Sequence, residues 1–305
     1  MTATAITVSD VARRYGSKFA LRDVTFEVPT GTIVGLLGRN GAGKTTLMRI
    51  IATHEFASSG TVRVFGQNPV QHEAVLQRLA FIREDQIYPG RATRVTLPAN
   101  FQVRHALRTA QLFSPHWSAP LADTLLHDFD LPLHRSVYQL SRGMRAALGI
   151  VMGLAARAEL TLFDEPYAGL DPVARRLFYD HLRADQAAHP RTVLLSTHLV
   201  DEVAGLLERV VVLDHGRVAV DAAADDLRGA ATRITGTGPA VEQFTANRPF
   251  WDARRAAAEA TAVVSGPLSN QDRAEARALH LALEPVSLQD FIVHLTTPAH
   301  ERISL

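Results

Sequence analysis

The chain has 305 residues, long for one compact domain and short for three, so two domains or one large domain with an appendage are expected. Hydrophobic residues make up 47% and charged residues 21%, and cysteine is absent, which excludes collagen-like or coiled-coil extension, disulfide frameworks and thiolate metal sites. Lys plus Arg number 32 against 31 Asp plus Glu, a net charge of +1 that supplies no global attraction to nucleic acid or an anionic membrane, so no nucleic-acid partner is expected.

The first residues carry no basic region ahead of an apolar run, which does not read as a secretory leader and suggests a cytoplasmic protein. Short strands are predicted at 6–8, 23–28, 33–37 and 61–65, bounded by Gly16, Pro29, Gly31, Gly60 and Gly66. From about 83 to 157 the texture turns helical. Phe101, His105 and Leu112 share one face, and Leu121, Leu125, Leu126 and Phe129 mark a second helix. The run 146–156 is the longest apolar stretch, well short of the roughly 20 residues of a bilayer crossing. Runs of strand length at 160–163 and 192–196 each precede a helical pattern, which indicates an α/β core with a parallel sheet. After Gly229, strands are predicted at 231–236 and 261–264. Ser287 with Asp290 forms a capping box ahead of Leu288, Phe291, Ile292 and Leu295 at helical spacing. The expected organisation is therefore a domain over 1–229, with a helical insertion at about 83–157, and a small α+β unit over 230–305.

Between the strand ending at Leu37 and an apolar helix lies Gly38-Arg39-Asn40-Gly41-Ala42-Gly43-Lys44-Thr45, a match to G-x-x-x-x-G-K-[ST]. Glycines let backbone N–H groups and a helix N-terminus approach an anion, while Lys44 brings a compact charge to β and γ phosphates. Only two lysines occur in the chain, Lys18 and Lys44. A planar, forked arginine is no substitute at this position, which explains the survival of one of them. The Thr45 hydroxyl suits Mg²⁺, an ion that keeps waters and shares phosphate oxygens. The run 160–163 leads into Asp164 and Glu165. Strand alternation sends neighbouring side chains opposite ways, so Asp164 is expected to bind the Mg²⁺ shell and Glu165 to polarise an attacking water.

With these motifs the sequence resembles the ATP-binding cassette (ABC) family from about Tyr15 to Gly216. Leu140-Ser141-Arg142-Gly143-Met144-Arg145 looks like a variant of the family signature, with Arg142 and Met144 replacing the commonest glycine and glutamine, as in many exporter-type members. The resemblance implies a P-loop NTPase fold of ABC type, with an antiparallel β-subdomain and a helical subdomain. It places the loop from Gly38 to Lys44, with Thr45 and Thr46, around ATP. Tyr15 would stack on adenine, and Ser141 and Gly143 would meet the γ-phosphate held by an opposite subunit. Asp171 would speak across the dimer interface, and His198 would contact the γ-phosphate. The family's glutamine loop departs from pattern. Arg83 stands at the usual offset, Gln86 is favoured as the Mg²⁺ and water contact, and Glu84 is the alternative.

The implied function is an ATP- and Mg²⁺-dependent ATPase subunit of an exporter, peripheral on the inner face of the cell membrane. It would pair as a homodimer, or a heterodimer with a second ATPase, on a separate permease. The cargo would be a drug, antibiotic, lipid or peptide. A soluble ABC ATPase of DNA repair, translation or cluster assembly, and a nucleotide-gated module without turnover, are the alternatives. Arg91, Arg94, Arg104 and Arg108 make the insertion locally basic, either as a solvated face or as a contact for a partner helix or lipid phosphates. The C-terminal unit is expected to stabilise a dimer or regulate it.

Overall fold

The chain opens with β1 (Thr4–Tyr15) and β2 (Lys18–Pro29), followed by β3 (Ile33–Leu37), α1 (Lys44–Ile51) and β4 (Ser59–Val64). The computed structural model describes residues 3–70, 72–83, 100–256 and 259–296. β1 pairs antiparallel with β2 on one side and β4 on the other. Both opening strands are longer than the short apolar runs at 6–8 and 23–28 because register shifts between Val8 and Arg14 carry the pairing past polar residues.

Next come α2 (Glu73–Leu76), β5 (Leu79–Arg83), α3 (Val103–Leu112), α4 (Ala119–Asp128), α5 (Arg142–Ala155), β6 (Leu160–Asp164), α6 (Pro172–Ala188), β7 (Thr192–Thr197), α7 (Val200–Val203), β8 (Arg209–Asp214) and β9 (Arg217–Ala223). A six-stranded sheet runs β5-β6-β7-β3-β8-β9. Its inner members β3, β6 and β7 are parallel and buried along their whole length, as strands covered on both faces must be. Each fully buried leucine there, such as Leu36, Leu162 or Leu194, contributes about 2 kcal/mol of hydrophobic stabilisation. β8 turns into β9 through His215 and Gly216, both at positive φ, the geometry of a two-residue hairpin turn.

Within the helical stretch the structure amends the sequence reading in two places. Arg83 closes strand β5 and does not begin the insertion. α3 buries Val103 and Leu107, whereas Leu112 is 76% exposed; the expected face of Phe101, His105 and Leu112 is rotated from the buried one. α4 buries Ala122 and Leu125, and α5 is buried along most of its length from Ala146. Arg104 and Arg108 lie exposed on α3; Arg91 and Arg94 fall outside the described residues.

Contacts divide the chain into two compact units. One takes the described residues up to His198 with Leu206–Asp221, and the other takes Leu199–Gly205 with the described residues from Ala222 onward. The second unit thus begins before Gly229. Ala224 and Leu227 of α8 (Ala224–Leu227) are buried in it, Arg228 donates to the Ala204 carbonyl, and Gln289 N donates to Asp201 Oδ1 at 3.2 Å.

The remaining elements are β10 (Ala231–Thr237), α9 (Gly238–Thr245), β11 (Phe250–Ala256), β12 (Glu259–Ser265), α10 (Asn270–Ala278), β13 (Ala282–Pro285) and α11 (Leu288–Thr296). They form a four-stranded sheet ordered β11-β12-β10-β13. Ala262 and Val264 face one core with Val241, Phe244 and Ala276, while Val263 faces the other with Val286 and Phe291, the alternation a strand imposes. Ser287 Oγ accepts from Asp290 N at 3.1 Å, as the capping box requires. β11 and β13 were not legible as strands: β11 is an edge strand whose register shifts at Asp252 and Ala253, and β13 has four residues.

Candidate active site at the phosphate loop

Three adjacent parallel strands end side by side. Leu37 of β3 is level with Thr197 of β7, and Ser196 of β7 with Asp164 of β6. The side chains beyond these strand ends therefore converge by register, although they lie far apart in sequence.

The loop after β3 holds Gly38 at φ 143° and Gly43 at φ 108°. A Cβ on Gly38 would lie 2.3 Å from the Leu213 carbonyl oxygen, and one on Gly43 2.8 Å from that of Ala20, so both positions require glycine. Lys44 is buried. Its Nζ donates to Gly38 O at 2.8 Å and Arg39 O at 3.4 Å, and lies 3.5 Å from Glu165 Oε1. Ala42 N donates to Arg39 O, and Gly216 N to Ala42 O, which pins the loop to the β8–β9 turn. Asn40, Gly41, Thr45 and Thr46 border the same cavity of about 190 Å³, together with Ala20 of β2, a residue the motif did not indicate.

The two carboxylates take separate partners. Asp164 is the last residue of β6 and buried; its Oδ1 accepts from Ser196 Oγ at 2.6 Å, and Thr45 also hydrogen-bonds to it. Burial pushes its carboxyl above the usual carboxylate range. The hydrogen bonds from Ser196 and Thr45 oppose that push, the Glu165 charge adds to it, and the Lys44 charge opposes it. Glu165 has left the strand at φ 47° and donates its N–H to Ser196 Oγ at 3.1 Å. Its Oε2 lies 3.1 Å from His198 Nδ1. The division of labour between the pair thus comes from this left-handed residue rather than from continued strand alternation.

Ser196 and Tyr167 are functional neighbours that the motifs did not reveal. Ser196 contacts both carboxylate residues, while the buried Tyr167 hydroxyl donates to Thr197 Oγ1 at 2.7 Å and accepts from His198 N at 3.1 Å. Their only sequence signal is position, two residues before His198 and two after Glu165.

Ser141, Gly143 and Asp171 are grouped elsewhere, and none borders the phosphate-loop cavity. Ser141 caps α5 by accepting from Met144 N at 3.1 Å, and Asp171 caps α6 by accepting from Ala174 N at 2.9 Å. A Cβ on Gly143 would lie 2.7 Å from Gly169 O, so the start of α5 rests directly against the loop that leads into Asp171. Tyr15 is 46% exposed; its ring lies beneath the Arg13 guanidinium at 4.6 Å and its hydroxyl donates to Glu55. Gln86 and Glu84 lie outside the described residues. Arg83 stands level with Asp164 across β5 and β6.

Residues 21–168 match the family model for the ABC transporter. Over 235 residues the chain is 35% identical to the daunorubicin resistance ATP-binding protein DrrA3 of Streptomyces coeruleorubidus, covering 75% of this chain and 71% of that one. The chain belongs to the ABC transporter ATP-binding subunits. A Nod factor export ATP-binding protein I of Mesorhizobium japonicum aligns over 97% of this chain and 87% of its own length at 29% identity, and therefore spans the C-terminal unit as well. A solved structure described as the ATP binding subunit of an ABC transporter superposes with a TM-score of 0.62 at 28% identity, covering 73% of this chain and 91% of that one. Membership of this family implies nucleotide binding, and the phosphate loop is the candidate site for it.

The residues present fit Mg²⁺-nucleotide. Gly38 and Gly43 leave a cradle that a Cβ would fill, and the oxygen donors Thr45 and Asp164 are hard ligands. Among the described residues no group of three or more His, Cys, Asp or Glu could hold a metal ion.

Proposed function

We propose that this ABC ATPase subunit drives export through a separate membrane permease, with two copies closing on two Mg²⁺-ATP molecules. The functions named for two relatives, daunorubicin resistance and Nod factor export, support the export direction, with a drug, antibiotic, lipid or peptide as the cargo. Among the described residues no helix is long and apolar enough to cross a membrane, in keeping with a pathway supplied by another chain and a place on the inner membrane face.

The observation that carries the proposal is the Glu165 carboxylate, held between the Lys44 ammonium and the His198 imidazole at the ends of three adjoining strands. Phosphoryl transfer asks a protein for positioning and charge stabilisation more than for covalent chemistry. Lys44 has its donors turned toward the loop and is set to move them to β and γ phosphates. Thr45 and Asp164 would hold Mg²⁺, which neutralises phosphate charge when bound. Glu165 accepts the proton of the attacking water, a role worth about 10² to 10⁴ in rate. His198 fixes the orientation of that carboxylate and offers a donor toward the γ-phosphate. Asn40, Gly41 and Thr46 supply the remaining loop contacts to the nucleotide.

Ser141, Gly143 and Asp171 lie together away from the cavity of their own chain, which supports their meeting the nucleotide of a second copy. For adenine, Tyr15 must release Glu55 to stack. Gln86 is retained as the proposed contact that reports nucleotide state to the permease.

Affinity purification of the full chain from membranes, with ATP turnover measured on the isolated complex, tests this function. Recovery with a multi-span membrane protein whose cargo raises turnover is the expected result. Recovery with nucleic acid, and turnover raised by it, would overturn the proposal in favour of a soluble ABC ATPase.

A further inference from the structure

His198 is the last residue of the phosphate-loop unit before the chain crosses into the C-terminal unit, and Leu206 is where it returns. The segment between, Leu199–Gly205, carries α7 and belongs with the C-terminal residues. On its N-terminal side His198 is anchored within its own unit, since its backbone N–H donates to the Tyr167 hydroxyl at 3.1 Å. On its C-terminal side the chain is held by α7, which packs against α11.

Two hydrogen bonds fix α7 there. Asp201 Oδ1 accepts from Gln289 N at 3.2 Å, and Arg228 donates to the Ala204 carbonyl. The first turn of a helix leaves amide donors without partners inside the helix. In α11, Ser287 Oγ takes the amide of Asp290 and Asp201 takes that of Gln289, so the carboxylate also sits where the helix dipole favours negative charge. With four residues α7 is too short to hold its conformation alone, and its placement derives from these outside partners. Val200 and Val203 are its buried residues, whereas Asp201 lies on the surface and fills no core position. The His198 side chain is 48% exposed, with Nδ1 3.1 Å from Glu165 Oε2, so its position depends on how the backbone is held on either side.

We propose, on the reading that His198 meets the γ-phosphate, that Asp201 is a positioning residue for His198 and that through it the C-terminal unit sets the rate of ATP hydrolysis. Loss of the Asp201 contact frees α7 and with it the carbonyl side of His198. A displacement of about 1 Å at a reacting centre costs up to about 10²-fold in rate. ATP itself is held by the phosphate loop, so its binding is left intact.

Steady-state ATP hydrolysis by variants of the full chain tests the role. Asp201→Ala should lower kcat by about 3- to 10-fold, with KM for ATP within about twofold of the wild type. Asp201→Asn keeps the acceptor oxygen for Gln289 N and should retain the wild-type kcat. Arg228→Ala releases the other end of α7, should lower kcat in the same way, and carries the test if Asp201→Ala fails to fold. In a His198→Ala background, Asp201→Ala should change the remaining turnover by less than about twofold, because the residue it positions is gone. Equal losses from Asp201→Ala with and without His198, a loss in Asp201→Asn as large as in Asp201→Ala, or unchanged kcat in Asp201→Ala and Arg228→Ala while His198→Ala is impaired would each overturn the inference. Unchanged turnover in His198→Ala would overturn the reading of His198, and this inference with it.

Discussion

Asp164 in the phosphate-loop unit and Asp272 in the C-terminal unit are both surrounded by hydroxyl and cationic donors, yet they are displaced in opposite directions. Asp272 accepts from Ser269 N and Oγ at 2.8 and 2.6 Å and from Arg248 Nε at 3.1 Å, and it titrates at about 2. The Ser269 hydroxyl is the main cause, with Arg248 next. Asp164 also has hydroxyl donors and a nearby ammonium, but burial outweighs them and its carboxyl is pushed up. Donors alone therefore do not decide the direction; burial does. The C-terminal carboxylate is a clasp that strengthens its fold by being charged. Burial works against the charged form of the Asp164 carboxyl, a cost that the arrival of a cation would offset.

The contrast can be broken at several places. Lys44→Ala removes the charge aimed at the phosphates and should lower kcat by about 10² to 10³, read by phosphate release. Ser196→Ala leaves both carboxylate residues without their shared hydroxyl and should weaken Mg²⁺-dependent turnover by about 10- to 100-fold, read as a shift in the Mg²⁺ requirement. Tyr167→Phe deletes the hydroxyl between Thr197 and His198. It should cost about 1 kcal/mol in stability, measured by denaturant unfolding, with a smaller fall in turnover.

The smallest effect is expected at Asp272, where the sign follows from its lowered pKa. Its folded value, about 2, lies below the reference of 3.8, so its stabilisation is complete above 3.8 and disappears as pH falls through about 2. Asp272→Asn should therefore lower the melting temperature at neutral pH and match the wild type in strong acid. A difference that persisted at low pH would show that packing, not charge, carries the clasp.

Legibility in the sequence followed the range of each interaction. The phosphate loop could be read because Gly38, Gly43, Lys44 and Thr45 act within one turn of chain, and β3, β6 and β7 because their apolar runs are continuous, whereas β8, equally apolar over 210–213, was not anticipated. Asp164 and Glu165 were readable as a pair, but not the reason they diverge, since Glu165 turns by a left-handed φ that no motif encodes. Ser196 was hidden because its partners lie 32 and 31 residues away and become neighbours only through the β6–β7 register. Leu112 misled because helical spacing gives periodicity without phase, and the buried stripe of α3 passes through Val103 and Leu107 instead. Tyr15 shows a similar limit: its place in the family pattern says nothing of Arg13 and Glu55, which engage it here.

Glu165, poised between Lys44 and His198, is proposed to activate water in a site closed by two copies. Sedimentation of Glu165→Gln with saturating Mg²⁺-ATP, alongside phosphate release, tests it most directly. Retained ATP, hydrolysis reduced by about 10² to 10⁴, and a dimer that persists where the nucleotide-free protein dissociates are expected. Hydrolysis at the wild-type rate, or an ATP-saturated variant no more associated than the free protein, would contradict that role.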